Sequence, residues 1–277
     1  MPRLLCFVLL LFAISMSPTV AADIEFPQWE LGVAVGAGVL PHYPAADQYR
    51  IEALPLPYFA YRGKFVRSDD KGLLRGRVFL SEYAELDISL AGSIAMDATA
   101  NRARVGMPDL DWMGEVGPRL QLTLARISPD AKVDLEIPVR AALSTDFHRI
   151  DHVGYVSIPE IAYQHDNAGG RGTRVKWGIA VAFADRRFHE MLYGVSARYA
   201  TATRSPYRAK GGYFGSRIQF SVLHRFTQAL RVVGVARADF HAGAANEGSP
   251  LFLRKTTGTL GLAVIWTMLR SNVTVIE

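Results

Sequence analysis

Apolar and polar residues alternate one by one along most of the chain, which is the pattern of β-strands. In the stretch 84–96, for example, Leu86 and Ile88 lie on one face while Glu85 and Asp87 lie on the other. Successive side chains of a strand point to opposite sides of the sheet, so a period of two separates an apolar face from a polar face. The pattern therefore predicts an all-β protein.

The alternating runs are long, and their polar face carries full charges in mid-strand. The stretches 132–145 and 214–226 both show this pattern. Ordinary strands have about five or six residues, whereas a tilted membrane-crossing strand needs roughly 9–11. Strands that are apolar outside and polar inside are typical of outer-membrane barrels. We therefore expect an antiparallel transmembrane β-barrel.

The predicted barrel has about twelve strands, within a range of about ten to fourteen, in keeping with the even number usual for bacterial barrels. The predicted strands are 28–40, 49–61, 72–81, 83–97, 110–127, 131–145, 153–165, 172–184, 190–200, 211–226, 228–242 and 256–268. Short and long connections should alternate, but they fall out of phase if all these strands are real. One strand should therefore be wrong, either 190–200 or 72–81.

The charged faces of these strands should line the lumen. The residues expected to point inward are Glu85, Asp87, Arg119, Asp134, Glu136, Arg140, Arg217, Arg225, Arg231, Arg237 and Asp239. Because an unpaired charge away from water is costly, we expect these groups to pair with one another and fill a small barrel. The alternative is a narrow solute path lined by both signs of charge.

The loop 241–255 is the longest late connection, and it is rich in small and polar residues. It carries Leu251 and Phe252, which are either exposed or tucked into the barrel mouth. The loop is either a mobile outer loop, which is the preferred interpretation, or a plug or ligand contact.

The N-terminal residues 1–22 have the anatomy of a secretory signal peptide. Arg3 precedes an apolar run from Leu4 to Ile14, which is too short to span a membrane as a helix, and small residues follow. Cleavage is expected before Asp23, which leaves residues 23–277 as one barrel domain. The single cysteine, Cys6, lies inside the signal, so the mature chain should have no disulfide and no cysteine nucleophile.

Charge and histidine content add little to this picture. The formal net charge of +5 is spread along the chain, and basic residues do not cluster with aromatic ones, so no nucleic-acid partner is expected. His148, Asp151 and His152 lie close enough in sequence to hold a divalent ion, but a solvated polar loop is the preferred interpretation.

A hydrolase site would need a nucleophile, a base and an acid brought together in space. The candidates are His165 with Asp166, His189 with Glu190, and His224, and the chain has no G-x-S-x-G motif. These residues are scattered, so we predict that the protein is not an enzyme. We assign no catalytic, cofactor-binding or metal-ligating residue.

Four prolines interrupt the stretch 38–63, where a β-barrel should least tolerate them. Pro41 and Pro44 fit an outer loop at 38–48, where they cost no ladder hydrogen bond. Pro55 and Pro57 fall inside a predicted strand, where each removes a donor. We expect a bulge there or a bend solvated from the lumen, with Tyr58 and Tyr61 at a membrane interface.

Several segments, taken in order, resemble the MipA/OmpV family of MltA-interacting outer-membrane proteins. They are HYPAADQYRIEALPLPYFAYRG (42–63), EVGPRLQLTL (115–124), LEIPVRAALSTD (135–146), SIPEIAY (157–163), LYGVSARYA (192–200), YRAKGGYFG (207–215) and GSPLF (248–252). Two features depart from the family pattern: YPAAD lacks the expected glycine and serine, and the chain continues past Trp266 instead of ending its last strand on an aromatic residue.

The resemblance implies an outer-membrane barrel, exported and embedded in outer-membrane lipid, that acts as a scaffold. In that role it would join a murein lytic transglycosylase to a penicillin-binding protein, using its periplasmic turns or the N-terminal segment 23–30. The alternatives are a small-solute or ion channel and an adhesin, with a barrel hydrolase less favoured.

Overall fold

The computed structural model describes residues 25–63, 66–69, 72–170 and 172–276, so the predicted signal peptide lies outside the described residues. The strands are β1 (Glu25–Pro27), β2 (Trp29–Pro41), β3 (Tyr49–Arg62), β4 (Val66–Asp69), β5 (Gly72–Leu80), β6 (Ala84–Ser93), β7 (Trp112–Ser128), β8 (Ala131–Thr145), β9 (Ile150–Ser157), β10 (Glu160–His165), β11 (Thr173–Ala184), β12 (Gly212–Arg225), β13 (Leu230–Phe240), β14 (Thr256–Arg270) and β15 (Thr274–Ile276). The helices are α1 (Arg186–Tyr193) and three short 3-10 turns, Ala98–Ala100, Ala168–Gly170 and Ala197–Tyr199.

The large sheet closes on itself as an antiparallel barrel. From β2 to β14 each strand pairs with its sequence neighbour, except that β9 and β10 do not pair with each other, and β14 pairs back with β2. Strands β9 and β10 together occupy one position, between β8 and β11. The wall therefore has twelve strand positions, which confirms the predicted barrel and its strand number. In the described ranges, no helix has the length and apolarity needed to cross a membrane.

Connections at the two ends of the barrel differ in length. Residues 81–83, 129–130 and 226–229 form short turns at one end, which we call the short-turn end. Residues 94–111 and 241–255 form long loops at the other, the long-loop end. In outer-membrane barrels the short turns face the periplasm, which orients the chain in the membrane.

The terminal strands lie at the short-turn end, outside the barrel wall. β1 pairs antiparallel with β15 as a separate two-stranded ribbon, and the amide of Gln28 donates to the carbonyl of Val273. The last barrel strand runs through Trp266 to Arg270 before this ribbon begins. The chain beyond Trp266 therefore continues as ordered β-structure rather than as a loose tail.

The predicted strand 190–200 is wrong, because this segment begins inside helix α1. Asp185 caps the helix by accepting the amide of Phe188 at 2.8 Å, as N-cap residues do. Phe188 and Leu192, four residues apart, are both buried on one face of the helix. The prediction of a strand at 72–81 is confirmed by β5, and the unpredicted strand β4 restores the alternation of connections.

The predicted strand 153–165 is interrupted at residues 158–159 without a change of register. Ser157 stands opposite Val139, and Glu160 stands opposite Glu136, so equal lengths of chain separate the two pairs. Pro138 and Pro159 lie in the unpaired stretch, and neither has an amide hydrogen to donate. The hydroxyl of Ser157 donates to the carbonyl of Pro138 at 2.7 Å instead.

Outward side chains are apolar, and aromatic residues gather toward both ends of the strands, as in membrane barrels. The exposed aromatic residues toward the short-turn end include Phe59, Phe79, Tyr83, Trp177 and Trp266, and those toward the long-loop end include Tyr49, Trp112, Tyr155, Phe183 and Phe240. The expected interface position is wrong for Tyr58, which points inward and accepts a hydrogen bond from Arg231.

The expected bulge at Pro55 and Pro57 is also wrong, since β2 and β3 pair without a register shift from Trp29–Tyr61 to Pro41–Tyr49. The amide of Arg62 donates to the carbonyl of Gln28, so even-numbered residues of β3 direct their amides toward β2. Amide directions alternate along a strand. Pro55 and Pro57 therefore lie where the strand would donate away from β2, and they cost no bond in this ladder.

Candidate functional site

A chain of alternating charges runs along the inner face of the wall and joins four strands. Arg119 of β7 binds Asp87 of β6 through Nε at 3.1 Å and Nη2 at 2.5 Å. Its Nη1 donates to Glu136 of β8 at 3.1 Å, and Glu136 also accepts from Lys176 of β11 at 2.8 Å. The predicted pairing of inward charges is confirmed here. Lys176 was not foreseen, although it lies at an alternate position of its strand.

Further pairs continue this pattern around the lumen toward the long-loop end. Asp239 of β13 binds both Arg217, at 2.7 Å, and Arg237, at 2.8 Å. Arg140 and Glu115 approach within 3.5 Å. Because each charge faces an opposite one, these groups hold neighbouring strands together while offering little unpaired charge to a solute.

A second cluster lies inside the barrel near the short-turn end, on four adjacent strands. Buried Glu30 binds Arg62 at 3.1 Å, binds Arg231 on the opposite side, and accepts from the hydroxyl of Thr267 at 3.2 Å. Arg231 also donates to Tyr58. Strands β2, β3, β13 and β14 are thus joined at one point. The alternating pattern predicts that Arg231 points inward but does not single out Glu30 and Arg62, because both lie at the ends of their strands, where the alternation is weakest.

The long loops fold over the opposite mouth as a compact cap with an apolar core. Its most buried members come from separate loops and strand ends: Tyr43, Ala46, Met96, Phe188, Leu192, Tyr193, Val195, Ala209, Phe214 and Leu251. Leu251 is fully buried and Phe252 is partly buried, so the loop 241–255 packs into the barrel mouth through these residues. We call this assembly the cap.

Hydrogen bonds between loops fix the cap. The Tyr43 hydroxyl donates to the carbonyl of Leu251 at 2.8 Å, and the Tyr193 hydroxyl donates to that of Pro44 at 2.9 Å. The carbonyl of Ala45 accepts from the amides of Leu253 and Arg254, both at 2.9 Å. The first and last outer loops are therefore joined directly.

Two arginines bind backbone carbonyls across the cap. Arg104 donates to Leu192 at 2.9 Å, and Arg204 donates to Ala103 at 2.7 Å and to Val105 and Tyr199. Desolvation lowers the pKa of Arg104 to about 10, which still leaves it charged at neutral pH. Both guanidinium groups satisfy loop carbonyls that strand pairing cannot reach.

His189 of helix α1 lies at the centre of the cap. It is fully buried, its Nδ1 is 2.6 Å from the carbonyl of Lys210, and its ring lies 5.0 Å from that of Phe214. Its Nε2 has no hydrogen-bond partner among the described residues. Desolvation lowers the pKa of His189, so the neutral ring fits this site.

The residues considered for metal binding are not brought together as a site. His148 is exposed, Asp151 pairs with Arg149 at 3.2 Å, and the ring of His152 packs on Tyr155 at 4.8 Å. No group of three or more potential metal-ligating residues occurs in the part of the chain that the structure describes.

The hydrolase candidates are likewise dispersed. His165 lies 3.3 Å from the Tyr163 hydroxyl, His224 lies 2.8 Å from the Thr173 hydroxyl, and both are at the short-turn end. His189 lies in the cap, where the carboxylate of the adjacent Glu190 accepts the amide of Ala209. The structure brings none of these histidines together with another.

A closed twelve-strand barrel with an apolar exterior, a charged lumen and unequal ends is an outer-membrane β-barrel protein. The family model described as MltA-interacting protein MipA matches residues 33–268. The chain therefore belongs to the MipA family, as the sequence resemblance predicted.

Solved structures of other barrels are similar to this chain over most of its length. The NanC porin aligns at 8% identity and a TM-score of 0.41, covering 85% of this chain and 100% of its own. A bacterial polysaccharide outer membrane secretin aligns at 9% identity and a TM-score of 0.44, covering 88% and 99%. The toluene transporter TbuX of Ralstonia pickettii aligns at 12% identity and a TM-score of 0.34, covering 88% and 89%. No curated protein matches the chain.

Proposed function

We propose that this barrel is a non-enzymatic scaffold of the outer membrane, which holds a murein lytic transglycosylase at its periplasmic face and joins it to a penicillin-binding protein. The name of the family, MltA-interacting protein, supports the first partner. The cap covers the long-loop end. The short-turn end faces the periplasm and is therefore the surface that periplasmic enzymes can reach.

The terminal ribbon of β1 and β15 is the observation that carries the proposal. Arg62 donates to the carbonyl of Pro27 at 2.7 Å, and its guanidinium lies 5.2 Å from the ring of Phe26. The guanidinium of Arg225 lies 5.0 Å from the same ring. Because cation–π and hydrogen-bond contacts hold the ribbon on the barrel, it forms a fixed platform, and a preformed surface binds with a smaller entropic cost than a flexible tail.

The proposal is tested by photocrosslinking in intact envelopes. A photoreactive residue at Val273, an exposed position beside the ribbon, should capture a murein lytic transglycosylase. The matched control is Val105, which is similarly exposed but lies in the cap, and it should not capture that enzyme. If Val273 yields no murein enzyme, or if both positions yield it equally, the scaffold role is wrong for this protein.

A further inference from the structure

Four exposed basic residues lie at the long-loop end, beside the start of helix α1. Arg186 and Arg187 open the helix, and Arg208 and Lys210 lie just before β12. Within the described ranges, none of the four forms an ion pair. We call these four side chains the basic patch.

Other exposed arginines at the same end are paired with carboxylates. Arg102 binds Asp47 at 3.0 Å. Arg149 binds Asp151 at 3.2 Å. The basic patch therefore differs from the surrounding loop surface, because its charges are not used to hold the loops together.

Two separate segments bring the basic patch onto one surface. The carbonyl of Lys210 lies 2.6 Å from Nδ1 of His189 in α1. A Cβ added at Gly211 would stand 2.9 Å from the backbone nitrogen of Arg186. The segment that carries Arg208 and Lys210 thus packs directly against the first turn of the helix.

The two acidic residues of this region are occupied by backbone amides. Asp185 accepts the amide of Phe188 at 2.8 Å, and Glu190 accepts that of Ala209 at 2.7 Å. A helix N-terminus carries partial positive charge and is stabilised by acidic side chains, not by basic ones. The two arginines at this position therefore do not stabilise the helix, and four basic groups against two acidic ones leave the surface positive.

Outward aromatic residues place the basic patch at the surface of the membrane. The amide of Asp185 donates to the carbonyl of Tyr155 at 3.0 Å, so α1 starts level with that residue. Phe183 ends the outward row of β11, and its ring lies 6.1 Å from that of Tyr213. Aromatic rings of membrane barrels lie at the level of the lipid headgroups. The basic patch, which follows these rings directly along the chain, lies at the same level.

Nearer the middle of the membrane, the outer face of β11 is apolar. Ile179 and Val181 are exposed there, while Ala180 and Ala182 between them are buried. A ligand that meets both the basic patch and this face must be anionic at one end and apolar along the rest. A soluble phosphate compound or an acidic peptide would match only the basic end, whereas a membrane lipid matches both.

We propose that the basic patch binds the phosphate groups of an outer-leaflet lipid, whose acyl chains lie against Phe183, Val181 and Ile179. Guanidinium groups bind phosphate oxygens through paired N–H donors, and the long loops of outer-membrane barrels face outward from the cell. The proposed scaffold surface lies at the opposite end of the barrel, so neither proposal depends on the other.

Binding of diphosphoryl lipid A to the purified full chain in neutral detergent tests the proposal. The protein is titrated into fluorescently labelled lipid at physiological salt, and fluorescence anisotropy gives the dissociation constant. In Arg186→Ala/Arg187→Ala, the dissociation constant should rise by about tenfold or more, because two cationic contacts to the anionic headgroup are removed.

The matched control is Arg254→Ala/Lys255→Ala, which removes two adjacent exposed charges at the same end. These residues precede β14, which stands three strands from β11 in the wall. At about 4.8 Å per strand this separation is roughly 14 Å, which exceeds the screening length of about 8 Å at physiological salt. The control should therefore change the dissociation constant by less than about twofold.

Equal weakening in both double variants, or unchanged binding in Arg186→Ala/Arg187→Ala, overturns the proposal. Inorganic phosphate at millimolar concentration should leave the lipid bound, and complete displacement would make the patch a soluble-anion site instead. Folding is verified by heat-modifiable mobility on gels. If Arg186→Ala/Arg187→Ala does not fold, Arg208→Ala/Lys210→Ala tests the same patch and should weaken binding to a similar extent.

Discussion

At the residue scale, Ala45 in the cap's first turn adopts a backbone conformation that favours glycine. Ala45 has φ of 64°, a left-handed conformation that costs a non-glycine residue roughly 1–2 kcal/mol. The sequence resemblance led us to expect glycine and serine in this segment. The native chain therefore carries local strain at the carbonyl that binds Leu253 and Arg254.

Ala45→Gly should relieve this strain. Ala46→Gly is the matched control, because Ala46 is equally buried but has no positive φ. We expect Ala45→Gly to be more stable than Ala46→Gly by about 1 kcal/mol, measured by urea unfolding in detergent micelles. Equal stabilities would show that the left-handed turn stores no strain.

Replacing a residue of a lumen ion pair should destabilise the fold, in contrast to the stabilising change at Ala45. Asp87 is fully buried and its partner Arg119 nearly so, so Asp87→Asn leaves a buried guanidinium short of charge. Removing one partner of such a pair typically costs about 3–5 kcal/mol. The unfolding midpoint in urea should fall accordingly, whereas Lys255→Ala, which breaks an exposed pair with Glu247, should change stability by less than about 1 kcal/mol. Similar effects of the two variants would contradict the structure.

At the element scale, the buried histidine of the cap predicts a response to acid. His189 lies among the rings of Phe188, Tyr193 and Phe214, with Asp185 the nearest acidic group that affects its pKa. Because burial depresses the pKa of His189, the neutral ring stabilises the folded cap. That contribution is fully present above the unfolded pKa of about 6.5 and is lost as pH falls through the lower folded pKa.

Limited proteolysis of the loops should therefore accelerate between pH 7.5 and pH 5. Desolvation also lowers the pKa values of His42 and His241 at the same end. His189→Gln, which cannot titrate, should therefore reduce the acceleration, while His148→Gln at an exposed loop position should retain it in full. A proteolysis rate that rises equally in His189→Gln would assign the acid response to another group.

Sequence predicted the elements of the wall better than those of the cap. Inward charges such as Asp87, Arg119 and Glu136 follow a period of two, which any strand must obey. The cap core depends on contacts between Tyr43, Leu192 and Leu251, which are far apart in sequence and show no common period. Helix α1 was missed for a related reason, since one apolar face of two turns is too short to outweigh the surrounding strand pattern.

At the scale of the whole molecule, the two ends of the barrel are built differently. The cap covers one end with an apolar core, and the buried cluster of Glu30, Arg62 and Arg231 lies inside the wall near the other. Both features should narrow a path along the barrel axis, so we expect little conduction through it.

Planar bilayers containing the purified protein should accordingly show no stable conductance steps at neutral pH. A general porin preparation at equal protein content provides the positive control. Reproducible unitary steps from the wild-type barrel would contradict the closed lumen and restore the channel alternative.

The seam between β2 and β14 also governs when the protein becomes complete. The first and last strands of the wall are neighbours, and Tyr43 meets Leu251 across 208 residues of sequence. Such distant contacts form slowly, because the intervening chain must lose conformational entropy before the contacts can stabilise the fold. We expect the cap to assemble only after β14 has paired with β2. A reagent that binds the assembled cap should therefore detect fully folded molecules and not those in which β14 is still unpaired.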